Sequence, residues 1–211
     1  MLRSAITACL LVCAAPALAC SVQAKYRVPT NVELLNEADL VVLALVQTGP
    51  RTVAEAWTLN DEPRVVLMPV KALKGVAPKE LRVLGILTDE GGRPYRAIPT
   101  TLNQVHPTTM EGMCIRQGYS QGAMVLAMFR RTRNGYMQLN DPFARAVEDV
   151  KGPTALWPRA ASLYLQILSI KDPKAQRSAF RREQRRLAAT GGPNGSAIAA
   201  DIGRYLKVIR K

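Results

Sequence analysis

The run Leu40–Gln47, read as LVVLALVQ, restricts this chain more than any other stretch. It is dense in aliphatic and β-branched residues, carries no charge, and is stopped by Gly49-Pro50. A run of that length and composition predicts a buried strand. Three similar stretches surround it: Arg64–Leu73 (RVVLMPVKAL), Leu81–Leu87 (LRVLGIL) and Ala123–Arg130 (AMVLAMFR). Pro69 has no N–H to give to a ladder, so the second run needs an edge position or a bulge at that point. Lys74-Gly75 and Pro78 mark a short turn, and Gly85 suits a bend. Asn134-Gly135 is a strong hairpin signal, with Tyr136–Leu139 as the returning strand. The front of the chain therefore reads as a meander of strands joined by short turns.

From Pro158 onward the apolar period changes. Leu163, Tyr164, Ile167 and Leu168 fall at helical spacing, as do Ile198, Ile202, Tyr205, Leu206 and Ile209. Between these sets Lys174–Ala189 reads as a polar, basic helix, begun by Asp172-Pro173 and ended by Gly191-Gly192-Pro193. The final helix is expected to pack on the sheet or on the helix before it. Near the front, Thr30 or Asn31 is expected to cap a short helix through Val32, Leu34 and Leu35. Asp89–Met113 shows no convincing period and is rich in Gly and Pro, which predicts a long surface loop tied down at its end by Cys114. There is no internal repeat.

The first nineteen residues read as a secretory leader: Arg3 is the basic start, Ala5–Ala15 the apolar stretch, and Ala17-Leu18-Ala19 the cleavage site. Cleavage there removes Cys9 and Cys13 and leaves Cys20 as the first residue, with Cys114 the only other cysteine. In an oxidising compartment, periplasmic or extracellular, two cysteines predict one disulfide, Cys20–Cys114. Acylation of Cys20 as a lipoprotein anchor is the rival reading.

One histidine, His106, limits the available chemistry. A Cys/His zinc site lacks ligands, and a Ser-His-Asp arrangement would have to use His106, which lies in the loop near Glu111 with no nucleophile legible beside it. The expectation is a surface histidine, no catalytic residue, no metal and no cofactor. Charge is more informative. The chain carries +13 overall, and residues 151–211 hold 13 Lys and Arg against 3 Asp and Glu. Lys174, Arg177, Arg181 and Arg185 recur at helical spacing, and Arg182 and Arg186 broaden the stripe. Export argues against nucleic acid as the partner, so anionic lipid or envelope polysaccharide is the functional reading. A solvated face that keeps the chain soluble is the plainer one.

Several of these residues together resemble a known family: Cys20 followed by Ser21, the step Ala38-Asp39 into the first strand, Leu73-Lys74-Gly75 after the second, and Cys114 ahead of the strand Met124–Ala127. The arrangement is similar to the netrin-like, or tissue-inhibitor-of-metalloproteinases-like, domain in a bacterial-type form. The resemblance spans roughly Cys20–Asn140. It implies an α+β fold, a five-stranded OB-like β-barrel over residues 20–150, followed here by a basic helical C-terminal segment over 151–211. It also implies that Cys20 presents its α-amino group and carbonyl to the metal of a protease, with Ser21 entering the substrate pocket and Cys114 as the disulfide partner. The family's second cysteine, two residues after the first, is Val22 here, and the further family disulfides are missing. The expected role is thus an exported, non-enzymatic binding protein acting on an extracytoplasmic protein such as a protease. The alternative is attachment to an anionic envelope surface through the basic helices. A hydrolase relying on His106 and Glu111 is the least supported class.

Overall fold

The computed structural model describes residues 24–52, 54–55, 62–88, 101–110 and 114–209. The leader, Cys20, Ser21, Glu111 and most of the predicted loop 89–113 lie outside the described residues.

Helix α1 (Asn31–Glu37) starts at Thr30, whose hydroxyl accepts the Glu33 N–H while the Glu33 carboxylate accepts the Thr30 N–H, a reciprocal capping box. Glu33 also pairs with Arg27 at 2.7 Å. Strands β1 (Leu40–Thr48), β2 (Arg64–Lys74), β3 (Leu81–Leu84), β6 (Met124–Thr132) and β7 (Gly135–Gln138) form an antiparallel sheet in the order β3-β2-β1-β6-β7. The short strand β8 (Val147–Asp149) shares with β7 one edge of β6: β7 pairs with its second half, β8 with its first. β4 (Ile86–Leu87) and β5 (Gly118–Tyr119) form a separate parallel pair. The two ends of the long sheet approach each other, and the buried Gln138 amide oxygen accepts the Leu84 N–H at 3.1 Å across the gap. The sheet is thus a nearly closed, barrel-like structure of five strands.

The chain after β8 forms α2 (Leu156–Leu168), α3 (Pro173–Thr190) and α4 (Gly192–Val208). The strand pleat sends alternate residues to opposite faces. Leu40, Val42, Ala44 and Val46 of β1, with Val125, Ala127 and Phe129 of β6, fill the barrel. Val41 and Leu43, with Leu126 and Met128, face outward into a second core made with α1 and the three C-terminal helices. Phe180 on α3 anchors that layer, with its ring edge-on to Tyr205 at 5.0 Å and tilted against Tyr164 at 6.2 Å. The final helix packs as its apolar spacing predicts.

Pro69 lies in the half of β2 that β3 does not reach, since β3 pairs only with Arg64–Leu67. The open edge and the register shifts against β1 accommodate the missing donor. The turn that follows ties three elements together. The Lys74 ammonium donates to the carbonyls of Leu35 and Asn36 at 3.0 Å each, capping the end of α1. Gly75 has φ +75° and lies so close to the Asp39 carbonyl that a Cβ would sit 2.4 Å from its oxygen. The Asp39 carboxylate in turn accepts the Arg131 N–H at 2.7 Å. Asp39 is therefore a structural acid.

Gly122 has a similar φ, +78°, but open space around it. Gly122→Ala should cost about 1–2 kcal/mol for the left-handed backbone alone. Gly75→Ala should cost clearly more, because the Asp39 carbonyl must also move. Urea unfolding of the two variants checks this, and equal losses would refute the close-approach argument.

Candidate functional site

The fold holds two buried polar networks, one at the end of β8 and one among α1, α2 and α4. The first is centred on Asp149, at the end of β8. Its Oδ1 accepts from Arg116 at 2.6 Å, and Oδ2 lies 3.4 Å from His106 Nε2. Arg116 also donates through Nε to the Gly118 carbonyl at 3.1 Å, and its guanidinium lies over the Tyr119 ring at 4.5 Å. Burial raises the Asp149 carboxyl, but His106 and Arg116 outweigh it, and the net displacement is downward. Burial pushes the Tyr119 phenol up.

His106 is 0% exposed, so the expected surface histidine is instead a core residue. Nδ1 accepts the Thr108 N–H at 3.3 Å and lies 2.8 Å from the Thr108 hydroxyl. With Nδ1 as acceptor, Nε2 carries the proton and faces Asp149. The His106 N–H donates to Glu148 at 3.2 Å. Hydroxyl, imidazole and carboxylate stand in the order of an acyl-transfer triad. The chemistry is not set up here: the imidazole is sealed from solvent, Asp149 is shared with Arg116, and the Thr108 methyl fills space beside Gly118 that a Cβ would contest at 2.9 Å. The network ties His106 and Arg116 to the end of β8. Of the predicted surface loop, residues 101–110 are described: they are irregular apart from a 3₁₀ turn, Pro107–Met110, and half of them are exposed, but Leu102, His106 and Thr109 are buried.

The second network is centred on Asp201 of α4, which is 2% exposed. Oδ2 accepts from Asn31 at 2.9 Å and from Tyr164 at 2.8 Å, and Oδ1 from Arg204 at 2.8 Å. Asn31 and Arg204 each donate as well to the Leu102 carbonyl, at 2.8 and 3.0 Å. One carboxylate thus joins α1, α2 and α4 beside Leu102. Burial and then Asp201 push the Tyr164 phenol up, so it stays a donor. Arg145, lowered chiefly by burial, lies over the Trp157 ring at 4.9 Å and 3.6 Å from Glu148. Beside this hub a cavity of about 720 Å³ opens between Pro29, Val105, Phe143 and Arg204.

The sequence-predicted site residues fall in two other places. Cys114 is buried, with φ 59°, and its carbonyl accepts the N–H of Phe143, whose φ is 56°, at 2.6 Å. These are the two non-glycine residues at positive φ among the described residues, and they meet at one strained corner. Tyr26 reaches the same corner, its hydroxyl donating to the Pro142 carbonyl at 2.7 Å.

On α3 the basic residues separate by role. Lys174, Arg181, Arg182 and Arg185 are exposed. Arg177 is half-buried and donates to the Ile209 carbonyl at 2.7 Å, closing the end of α4. Arg186 is paired with Glu183 at 2.8 Å. Of the predicted stripe of six, Arg177 and the exposed Arg186 are taken up by a carbonyl and a carboxylate, and four remain exposed with no ion pair among the described residues.

Among the described residues no group of three His, Cys, Asp or Glu could hold a metal ion, and no helix is long and apolar enough to cross a membrane. Comparison with family models, curated proteins and solved structures finds no match for this chain.

Replacing Asp201 by Ala should destabilise the fold by about 3 kcal/mol, because it removes the acceptor shared by the buried Asn31 amide, the buried Tyr164 hydroxyl and the half-exposed Arg204. Tyr164→Phe should cost only about 1 kcal/mol. Urea unfolding of both variants tests the hub, and similar losses would count against it. Asp149 makes a pH prediction. Its folded-state pKa is depressed, so its contribution is present above its ordinary value near 3.8 and lost as pH falls through the lowered one. Asp149→Asn should be less stable at neutral pH and lose less on acidification, as thermal melts across that range would show.

Proposed function

We propose that this is an exported, non-enzymatic binding protein: a netrin-like module on an OB-type barrel that offers its mature N-terminus, Cys20 and Ser21, to an extracytoplasmic protein such as a protease. The observation that carries the reading is the corner at Cys114 and Phe143. The described chain begins beside that corner, because Tyr26 is pinned to Pro142, the neighbour of Phe143. Six residues of extended chain reach about 20 Å, enough to bring Cys20 back to Cys114. A Cys20–Cys114 bridge at this place would fix the first residue on a scaffold already held rigid by strain and burial. An α-amino group and carbonyl held that way form a five-membered chelate suited to a metal with an open position.

Two features support the wider reading. The five-strand path with its partly open seam at Gln138 has the shape expected of an OB-type barrel. His106, the chain's one imidazole, is consumed in packing, which favours binding over catalysis.

The test uses protein exported from cells and then purified. Mass spectrometry should find a chain that starts at Cys20, with an unmodified amine and a bridge to Cys114. Closing a loop of about ninety residues should stabilise the fold by roughly 4 kcal/mol relative to Cys114→Ser. Adding one residue before Cys20 should abolish inhibition of a zinc protease while leaving stability unchanged. Two alkylatable thiols in exported material, or an acylated Cys20, would overturn the N-terminal reading.

A further inference from the structure

The outward face of α3 is not used by the proposed N-terminal site, and the fold does not account for it. We propose that this face, carrying Lys174, Arg181, Arg182 and Arg185, docks the protein onto a surface of anionic phospholipid through its phosphate groups.

The face is built rigidly. Ala179, Phe180 and Leu187 are buried on the opposite side of the helix and bind it to the outer core. The N-terminus is capped by Asp172, whose carboxylate accepts the Ala175 N–H at 2.8 Å. Lys174, Arg181 and Arg185 lie at i, i+7 and i+11, in one row about 16 Å long, with Arg182 beside it.

The neighbouring acids are committed elsewhere. Asp172 caps the helix and Glu183 holds Arg186. No ion pair among the described residues involves Lys174, Arg181, Arg182 or Arg185. Three of the four are arginines, whose planar guanidinium makes paired hydrogen bonds to phosphate oxygens.

The residues between them decide the kind of surface. Ser178, Ala188 and Ala189 are exposed and small. With the one aromatic of α3, Phe180, turned into the core, nothing on this face stacks on bases or sugar rings. Nor is there a bulky apolar wedge to enter the acyl chains. A straight, shallow, cationic row without apolar or aromatic anchors suits adsorption to a plane of phosphates. Each such residue at the membrane surface contributes about fivefold to partitioning.

The experiment is co-sedimentation of the protein purified after export, starting at Cys20, with phosphatidylcholine vesicles, with and without phosphatidylglycerol, at low salt. Binding should require phosphatidylglycerol and be released by raising the salt. Arg181→Gln combined with Arg185→Gln should weaken binding by roughly twentyfold or more. Lys79→Gln with Arg133→Gln, exposed cations outside α3, should leave it unchanged. Circular dichroism checks the fold of each variant. Equal binding by the α3 variant, equal binding to phosphatidylcholine alone, or tighter binding to duplex DNA or an anionic polysaccharide than to the vesicles would overturn the proposal.

Discussion

Strand β1 is buried on both faces, and the rest of the architecture follows from that. A strand with one wet face alternates apolar and polar residues, whereas Leu40–Val46 offers water almost nothing. Its even-numbered residues need an enclosed interior, which curling the sheet toward closure provides. Its odd-numbered residues need a cover, which α1 and the C-terminal helices supply. Strand β6 has the same double burden at Leu126 and Met128. The tail is therefore a wall of the outer core, although its composition alone suggests an appendage.

Beside the two apolar cores lie two buried polar networks. Buried ion pairs contribute little net stability, since desolvation offsets most of the attraction, but losing one partner is costly. Asp149 and Asp201 therefore act as registers. Each accepts donors from elements far apart in the chain: Arg116 and His106 in one case, Asn31, Tyr164 and Arg204 in the other. An apolar seam would tolerate sliding of α4 along α1, whereas three directional bonds on one carboxylate admit a single arrangement. The described residues 101–110 and 114–119 are tied to both networks, Leu102 to that of Asp201 and His106 and Arg116 to that of Asp149, which is how a stretch without hydrophobic period is placed.

Much of the fold is legible in the sequence because local pattern and tertiary burial agree. The aliphatic runs gave β1, β2, β3 and β6, the Asn134-Gly135 step gave the β6–β7 hairpin, and the Asp172-Pro173 and Gly191-Gly192-Pro193 signals bounded α3. The His106 site is different. Its partners Glu148 and Asp149 lie some forty residues away, and no spacing rule connects a loop histidine to the end of a short strand. Asp201 is equally hidden, since a lone acid in a basic tail reads as a surface residue until Asn31 and Tyr164 are seen to converge on it. The basic stripe was legible as a period, but which of its cations are taken up by a partner was not. Arg177 and Arg186 lie at the same helical spacings as the others and are consumed by a carbonyl and a carboxylate.

The four cations left on α3 bear on why the helix is written as it is. Arg181 and Arg185, and Arg182 and Arg186, are like-charged pairs at i, i+4, each destabilising an isolated helix by about 0.2–0.5 kcal/mol. Lys174 sits in the first turn, where the helix dipole disfavours positive charge. Only three residues of the helix are buried to offset these penalties. Solubility alone would be served as well by mixed charges, which avoid the repulsion. The arrangement pays off electrostatically only when a dense anionic layer faces the helix, because counter-charge then turns the mutual repulsion of the row into a shared attraction. Arg116, Arg145, Arg177 and Arg186 are given to carboxylates, carbonyls and aromatic faces, whereas this row points outward from a helix that the core holds still.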